Sequence, residues 1–211
     1  MGRKTPSTTP HILKKNGMVP ATTKKDLAKI LEEHSGIKDI FVDGVERSIQ
    51  RSSSPKNQKK DYSWKKKKHT KKNLVITSES IILAVGTTEP WSQHDFSLLK
   101  SSDFMEVLSK HTLWADLWFL GIQKEYPKQT VIMPKKKPPR WQLTQEEKAD
   151  NKVISSIRVK VEHFFARIKK YHILSHTYRS RLYGDWKTVR DNRKHTILLI
   201  ACGLVNLQST I

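Results

Sequence analysis

Hydrophobic and polar residues alternate over short stretches in the first two thirds of the chain, and this pattern predicts strands. The apolar stretch Ile37–Val42 ends at Asp43 and Gly44, and Val45–Arg51 then alternates apolar and polar residues. An Asp-Gly pair between two such stretches predicts a β-hairpin. Residues 52–72 are polar and strongly basic, which predicts a loop. The further predicted strands are Leu74–Thr77, Ile81–Val85, Thr112–Ala115 and Val131–Met133.

Helical periodicity is found at both ends of the chain and between the strands. Thr144 and Glu147 form a capping-box pattern, and the apolar stripe that follows predicts a long amphipathic helix. A similar capping pattern at Thr23–Asp26 precedes a short helix that Gly36 can end. The predicted helices cover residues 24–34, 94–110, 145–170 and 188–208. Strands interspersed with helices predict a mixed α/β fold with one sheet and helices packed on it.

The net charge of the chain indicates which class of molecule it binds. The 211 residues include 40 Lys and Arg against 20 Asp and Glu, which gives a formal net charge of +20. Such an excess attracts polyanions, and nucleic acid is the first expectation. The lone cysteine, Cys202, excludes an intrachain disulfide and a cysteine metal site, and its apolar surroundings predict a small core side chain.

The N-terminal residues carry no apolar segment typical of a signal peptide. Residues 1–20 are rich in Lys, Thr and Pro, which predicts a disordered basic arm. The apolar run Thr196–Leu207 is too short to span a bilayer. We therefore expect a soluble intracellular protein in the cytoplasm, associated with the nucleoid if the host is a bacterium. Residues 1–36 are interpreted as an arm plus one helix, the remnant of a DNA-binding domain.

Three acids occupy positions that suit metal chemistry. Asp43 and Asp116 follow predicted strands, and Glu162 lies in the long predicted helix on one face with Arg158 and Lys169. Carboxylates that converge from strand ends and a helix can hold Mg²⁺ or Mn²⁺ for displacement at phosphorus. Each acid has a simpler alternative: a turn residue, a helix N-cap and a surface ion pair, respectively. Spacing alone leaves these alternatives open.

Six segments, in order, resemble DDE transposases of insertion-sequence family five and their Harbinger-like relatives. The resemblance covers about residues 38–208. The matching segments are Val42–Arg51, Tyr62–Lys72, Gly86 with His94 and Asp95, Ala115–Asp116, Lys135–Pro138, and Arg158–Lys169. The chain departs from the family pattern at Leu117–Phe119, where relatives have Lys-Gly-Tyr. Only 42 residues precede Asp43, so a truncated copy, or one frame of a split element, is expected.

The resemblance implies an RNase H-like fold over residues 37–211, the DDE catalytic domain. It implies metal-dependent cleavage and transfer of DNA strands at transposon ends, with two Mg²⁺ or Mn²⁺ ions. Asp43, Asp116 and Glu162 would be the catalytic metal ligands, with Arg158 and Lys169 at the phosphate or the glutamate. The implied partner is double-stranded DNA at transposon ends and target sites, bound by a homo-oligomer.

Further residues are candidates for contact with DNA. Lys65, Lys66, Lys67 and Lys68 lie beside Tyr62, Trp64 and His69, whose rings could stack on splayed bases. A second basic segment contains Lys135, Lys136, Lys137 and Arg140. His94 and Asp95 are candidate neighbours of the active site, or simply the start of a helix. Two alternatives to an active enzyme stay open: a catalytically silent DNA-binding remnant, and a basic RNA-binding protein.

Overall fold

The computed structural model describes residues 13, 16–177 and 186–210, and within them six strands form one mixed sheet. The strands are β1 (Asp39–Ser48), β2 (Tyr62–Ser63), β3 (Lys68–Thr77), β4 (Ile82–Pro90), β5 (Thr112–Ala115) and β6 (Val131–Ile132). Strand β1 pairs antiparallel with β3 and parallel with β5. Strand β3 also pairs antiparallel with β2 and β4, and β6 pairs parallel with β5. The predicted mixed sheet is confirmed.

Helices cover both faces of this curled sheet, which gives the RNase H-like α/β architecture. The helices of the described residues are α1 (Lys24–Glu33), α2 (Pro55–Asp61), α3 (Asp95–Lys100), α4 (Met105–Leu108), α5 (Ile122–Glu125), α6 (Gln145–Lys170), α7 (His172–Ser175) and α8 (Trp186–Thr210). Ile40 and Val42 of β1 pack in one apolar cluster with α1, α3 and α4. Phe41 and Val45 point the other way, into a cluster with α6, α7 and α8. This alternation fixes which side chains of β1 face which helices.

The long helix α6 begins and ends where its pattern predicts. The Thr144 hydroxyl accepts a hydrogen bond from the Glu147 amide, and the Glu147 carboxylate accepts one from the Thr144 amide. The second half of the stripe is buried, at Val161, Phe164, Phe165 and Ile168. Val153, in the first half, is 58% exposed. Helix α6 therefore covers the sheet only with its C-terminal half.

The predicted hairpin at Asp43 is wrong. Strand β1 runs without a break through Asp43 and Gly44, which lie opposite Val75 and Leu74 of β3. Phe41 and Val45 are two residues before and after Asp43, so a single alternating pattern spans the Asp-Gly pair. Long-range pairing with β3 thus overrides the local turn preference of Asp-Gly.

Two other predictions need correction. Residues 52–72 are not a loop, because Ser54 with Pro55 starts α2 and the segment continues through β2 into β3. The helix predicted over residues 94–110 is two short helices, α3 and α4. Asp103, between them, has a left-handed backbone with φ of 55°, which breaks the helical path. The other predicted strands and the helices over residues 24–34 and 188–208 are confirmed within a few residues, although β3 and β4 are longer than predicted.

The predicted disordered arm lies mostly at residues 1–12, 14 and 15, outside the described residues. The segment that follows packs on the sheet: Pro20 and Ala21 are buried. The Ala21 amide donates to the Leu83 carbonyl at 2.8 Å, and the Ala21 carbonyl accepts from the Val85 amide at 2.9 Å. Within the predicted arm itself, the Asn206 side-chain amide donates to the Met18 carbonyl at 3.0 Å, so residues 16–20 are held in place although their composition predicts disorder. Across the described helices, none combines the length and apolar character needed to cross a membrane. Cys202 is buried, as predicted.

Candidate active site

Parallel pairing of β1 and β5 brings two of the three predicted acids side by side, Asp43 within β1 and Asp116 at the end of β5. Val42 lies beside Ala115 in the register, and each is followed by an aspartate. Two residues before the aspartates, the rings of Phe41 and Trp114 stack with centroids 5.8 Å apart. Because side chains alternate along a strand, Asp43 continues the face of Phe41 toward α6. The sheet therefore positions Asp43 next to Asp116.

The electrostatic surroundings of Asp43 disfavour its negative charge. The pKa of the Asp43 carboxyl is raised from 3.8 to about 6, mainly by burial and to a smaller extent by the nearby carboxylates of Asp116 and Asp95. The Gly44 amide, which donates to Asp43 Oδ1 at 2.7 Å, and the Arg158 guanidinium act in the opposite direction. Binding of a proton or a cation therefore stabilises such a buried carboxylate, because either one compensates its negative charge.

Asp95 reaches this place because Gly44 has no side chain. A Cβ at Gly44 would lie 3.2 Å from Cγ and Oδ1 of Asp95. Asp95 is in the first turn of α3, and its Oδ1 accepts a hydrogen bond from Lys72 Nζ at 2.9 Å. Lys72 also donates to the Gln93 carbonyl at 2.8 Å. Sequence reasoning named Asp95 but missed Lys72, since nothing local distinguishes it from the other lysines of β3.

The two carboxylate oxygens of Asp116 contact different partners. Its Oδ1 accepts a hydrogen bond from the Leu117 amide and caps a 3-10 turn over Leu117–Phe119, so the N-cap interpretation holds. Its Oδ2 lies 3.5 Å from Arg158 Nη2. The neighbouring His94 ring is 6.3 Å from the ring of Trp118, which is 60% exposed. Capping leaves Asp116 fixed at the end of β5, beside Asp43.

Glu162 is on α6, four residues after Arg158, and its side chain is exposed. Four residues of helix span about 6 Å, so Glu162 lies one turn from the residue that contacts Asp116. Across residues 13, 16–177 and 186–210, no three His, Cys, Asp or Glu side chains form a group that could hold a metal ion. Asp95, Asp116 and Arg158 are thus electrostatic neighbours of Asp43, but among the described residues neither Asp95 nor Glu162 completes a group of three metal-binding acids with Asp43 and Asp116. The role of Glu162 as a metal ligand stays a prediction.

The donor chemistry of Asp43 and Asp116 fits a hard divalent cation. Mg²⁺ and Mn²⁺ prefer carboxylate oxygens and commonly bind to one or two carboxylates together with phosphate and water. The raised pKa of Asp43 has burial as its main cause, and a bound cation would offset this unfavourable charge. Arg158 neutralises part of the charge of Asp116, so the two adjacent aspartates keep an excess of negative charge that a cation would offset.

The first predicted basic segment forms the turn between β2 and β3. Lys66 Nζ lies 3.0 Å from Glu46 Oε2, and Lys67 has a left-handed backbone. Lys65 and Lys68 are exposed. Contact of these lysines with DNA stays a prediction.

The second basic segment is held against α6. The Lys135 amide donates to Asn151 Oδ1 at 2.8 Å, and the Lys135 carbonyl accepts from Asn151 Nδ2 at 3.0 Å. The remaining cations of this segment and of the helix face are exposed, namely Lys136, Lys137, Arg140 and Lys169. Binding of phosphate by these cations stays a prediction.

Comparison with known proteins decides the family. The family model described as DDE superfamily endonuclease matches residues 42–206, a range that begins one residue before Asp43. The chain belongs to the DDE superfamily endonuclease family. It is similar to the probable transposase for insertion sequence element IS702 of Microchaete diplosiphon, with 36% identity over 164 residues. That match covers 75% of this chain and 55% of the relative, so the DDE chain spans about half the length of its relative. No solved structure matches it.

Proposed function

We propose that this DDE family member cleaves and transfers DNA strands at transposon ends in a reaction that depends on divalent metal ions. The observation that carries the proposal is the register of β1 and β5, which sets Asp43 beside Asp116. Two adjacent carboxylates on neighbouring strands, one within β1 and one at the end of β5, suit ligation of a hard cation. The similarity to an insertion-sequence transposase supports DNA as the substrate.

Asp43, Asp116 and Glu162 would hold Mg²⁺ or Mn²⁺. When bound, such ions stabilise negative charge on the attacking and leaving oxygens of a phosphoryl transfer. Arg158 contacts Asp116 at 3.5 Å, and its guanidinium would orient that carboxylate and attract the DNA phosphate. Lys72 would fix Asp95 behind Gly44 and add a second positive charge close to the acids.

The test uses duplex DNA from both flanks of this gene, where the proposed transposon ends would lie, with Mg²⁺ or Mn²⁺ added to the purified full chain. We expect nicks at these ends that require the metal ion. Asp43→Asn, Asp116→Asn and Glu162→Gln should each lower the nicking rate at least about a hundredfold, because each removes a proposed ligand charge.

Matched controls lie on α6, where Glu146 and Asp150 are exposed acids. Glu146→Gln and Asp150→Asn make the same chemical changes outside the candidate site, and nicking should be unchanged. Equal cleavage by the wild type and Asp116→Asn would refute the assignment of the active site. Salt-sensitive DNA binding without metal-dependent nicking would favour the catalytically silent DNA-binding protein instead.

A further inference from the structure

An open groove of about 810 Å³ lies between α2, the β2–β3 hairpin and the turn that follows β4. Its aromatic lining consists of Tyr62, Trp64, His69 and Trp91. Its cationic lining consists of Arg51, Lys59 and Lys60. The Ser92 amide donates to the Lys60 carbonyl at 3.0 Å, so the turn after β4 is tied to α2. The fold thus brings Arg51, α2, the β2–β3 hairpin and the turn after β4 together to form the groove.

The rings of the groove are held in place but remain accessible. Tyr62 pairs with His69 across β2 and β3, and their ring centroids are 5.4 Å apart. The Tyr62 ring also meets the Trp64 ring edge-on at 4.9 Å. Trp64 is nevertheless 67% exposed, with Lys67 Nζ 5.6 Å from its centroid. One exposed tryptophan is ordinary, but four rings in one groove edged by cations indicate a ligand site.

Lys72 connects this groove to the candidate active site. Its ammonium lies 5.8 Å from the centroid of the Trp91 ring and 2.9 Å from Asp95 Oδ1. Asp95 in turn lies against Gly44, the residue after Asp43, since a Cβ at Gly44 would be 3.2 Å from Asp95 Oδ1. Lys72 pairs with Glu46, three residues along β1 from Asp43 and therefore on the opposite face of the sheet from the Asp43 side chain. A strand of DNA that leaves the acids along the Asp95 side of the sheet can therefore reach the groove within a few nucleotides.

We propose that the groove binds an unpaired nucleotide in a single-stranded stretch of DNA next to the cleavage site. Aromatic rings with accessible surface bind unstacked bases, and nearby cations bind the phosphates of the same strand. A duplex keeps its bases stacked inside, so it would use only the cations. The choice of DNA over RNA rests on the proposed function, whereas the preference for an unpaired strand rests on the rings.

The experiment measures binding of a short oligothymidylate to the full chain by fluorescence anisotropy, in EDTA so that no cleavage occurs. Trp64→Ala should weaken binding about tenfold or more, because one base stacked on a ring contributes about 1–3 kcal/mol. Trp64→Phe, which keeps a ring, should restore most of the affinity. The matched control is Trp141→Ala, since Trp141 is 76% exposed and lies outside the groove. Binding of a duplex of equal length should change less than about twofold in all three variants.

Equal losses for Trp64→Ala and Trp141→Ala, or equal losses on duplex and single strand, would overturn the proposal. Tighter binding of oligouridylate than of oligothymidylate, lost in Trp64→Ala, would overturn the assignment to DNA. Glu146→Gln and Asp150→Asn should bind oligothymidylate as the wild type does, because neither residue lines the groove. A protein that fails to nick DNA but shows the Trp64 dependence would refute the proposed function and support the groove.

Discussion

Replacing Asp43 with asparagine should stabilise the metal-free protein near neutral pH. The structure raises the pKa of the Asp43 carboxyl from 3.8 to about 6, mainly by burial. At about 1.4 kcal/mol per pKa unit, keeping this group charged costs the folded state about 3 kcal/mol. Asp43 retains some contact with solvent, which screens part of this cost. Asparagine keeps an acceptor for the Gly44 amide, so we expect a gain of about 1 to 3 kcal/mol in the free energy of unfolding.

The raised pKa of Asp43 determines how the free energy of unfolding changes with pH. The native state holds the proton of Asp43 more tightly than the unfolded chain, so its stability falls as pH rises from about 4 through about 6. Above about pH 6 the folded wild type carries the full cost of the buried Asp43 charge. The free energy of unfolding of Asp43→Asn therefore exceeds that of the wild type by the largest amount in this range. Near pH 5 the carboxyl is mostly protonated in the native state, and the advantage of Asp43→Asn should be about half.

Urea unfolding in EDTA, followed by circular dichroism near pH 8 and near pH 5, measures this difference. Asp150→Asn serves as the control, because it makes the same change at an exposed site on α6, and its stability should differ little from that of the wild type. The reasoning fails if Asp43→Asn is no more stable than the wild type near pH 8. It also fails if the advantage grows as the pH is lowered.

Three further predictions test the surrounding structure. Burial raises the pKa of the Cys202 thiol to about 12, so a disulfide reagent should modify the native protein at least about a hundredfold more slowly than the urea-unfolded chain. Asn206 is buried and exchanges two hydrogen bonds with the backbone of Ile82, so Asn206→Ala should lower the free energy of unfolding by about 3 kcal/mol in urea titrations. Gly44→Ala should lower the free energy of unfolding by about 1–2 kcal/mol in the same titrations, because the added Cβ would press on the Asp95 carboxylate that Lys72 holds. An unchanged urea midpoint would contradict this packing.

Local signals predicted the elements whose boundaries local chemistry determines. The capping box of Thr144 and Glu147 and the apolar stripe after it gave the bounds of α6. The strand Thr112–Ala115 was found because it is apolar and ends at a polar residue, Asp116. In these cases the pattern and the tertiary structure favour the same conformation.

Prediction failed where a distant partner decides the conformation. Gly44 signals a turn on its own, but in the fold it makes room for Asp95 from α3. The lysines of residues 65–72 predict a loop by their charge, yet Thr70 and Asn73 are buried in β3. Likewise, no spacing rule joins Asp43 to Asp116: their adjacency depends on β1 pairing with β5, and in the sequence only the family resemblance connected them.

Binding of Mn²⁺ to the full chain, measured by electron paramagnetic resonance, tests most directly whether Asp43, within β1, and Asp116, at the end of β5, form a metal site. We expect the wild type to bind Mn²⁺, Asp150→Asn to bind it equally well, and Glu162→Gln to bind it more weakly. The double variant Asp43→Asn/Asp116→Asn should bind no more than background. Equal binding by the double variant and the wild type would contradict the account.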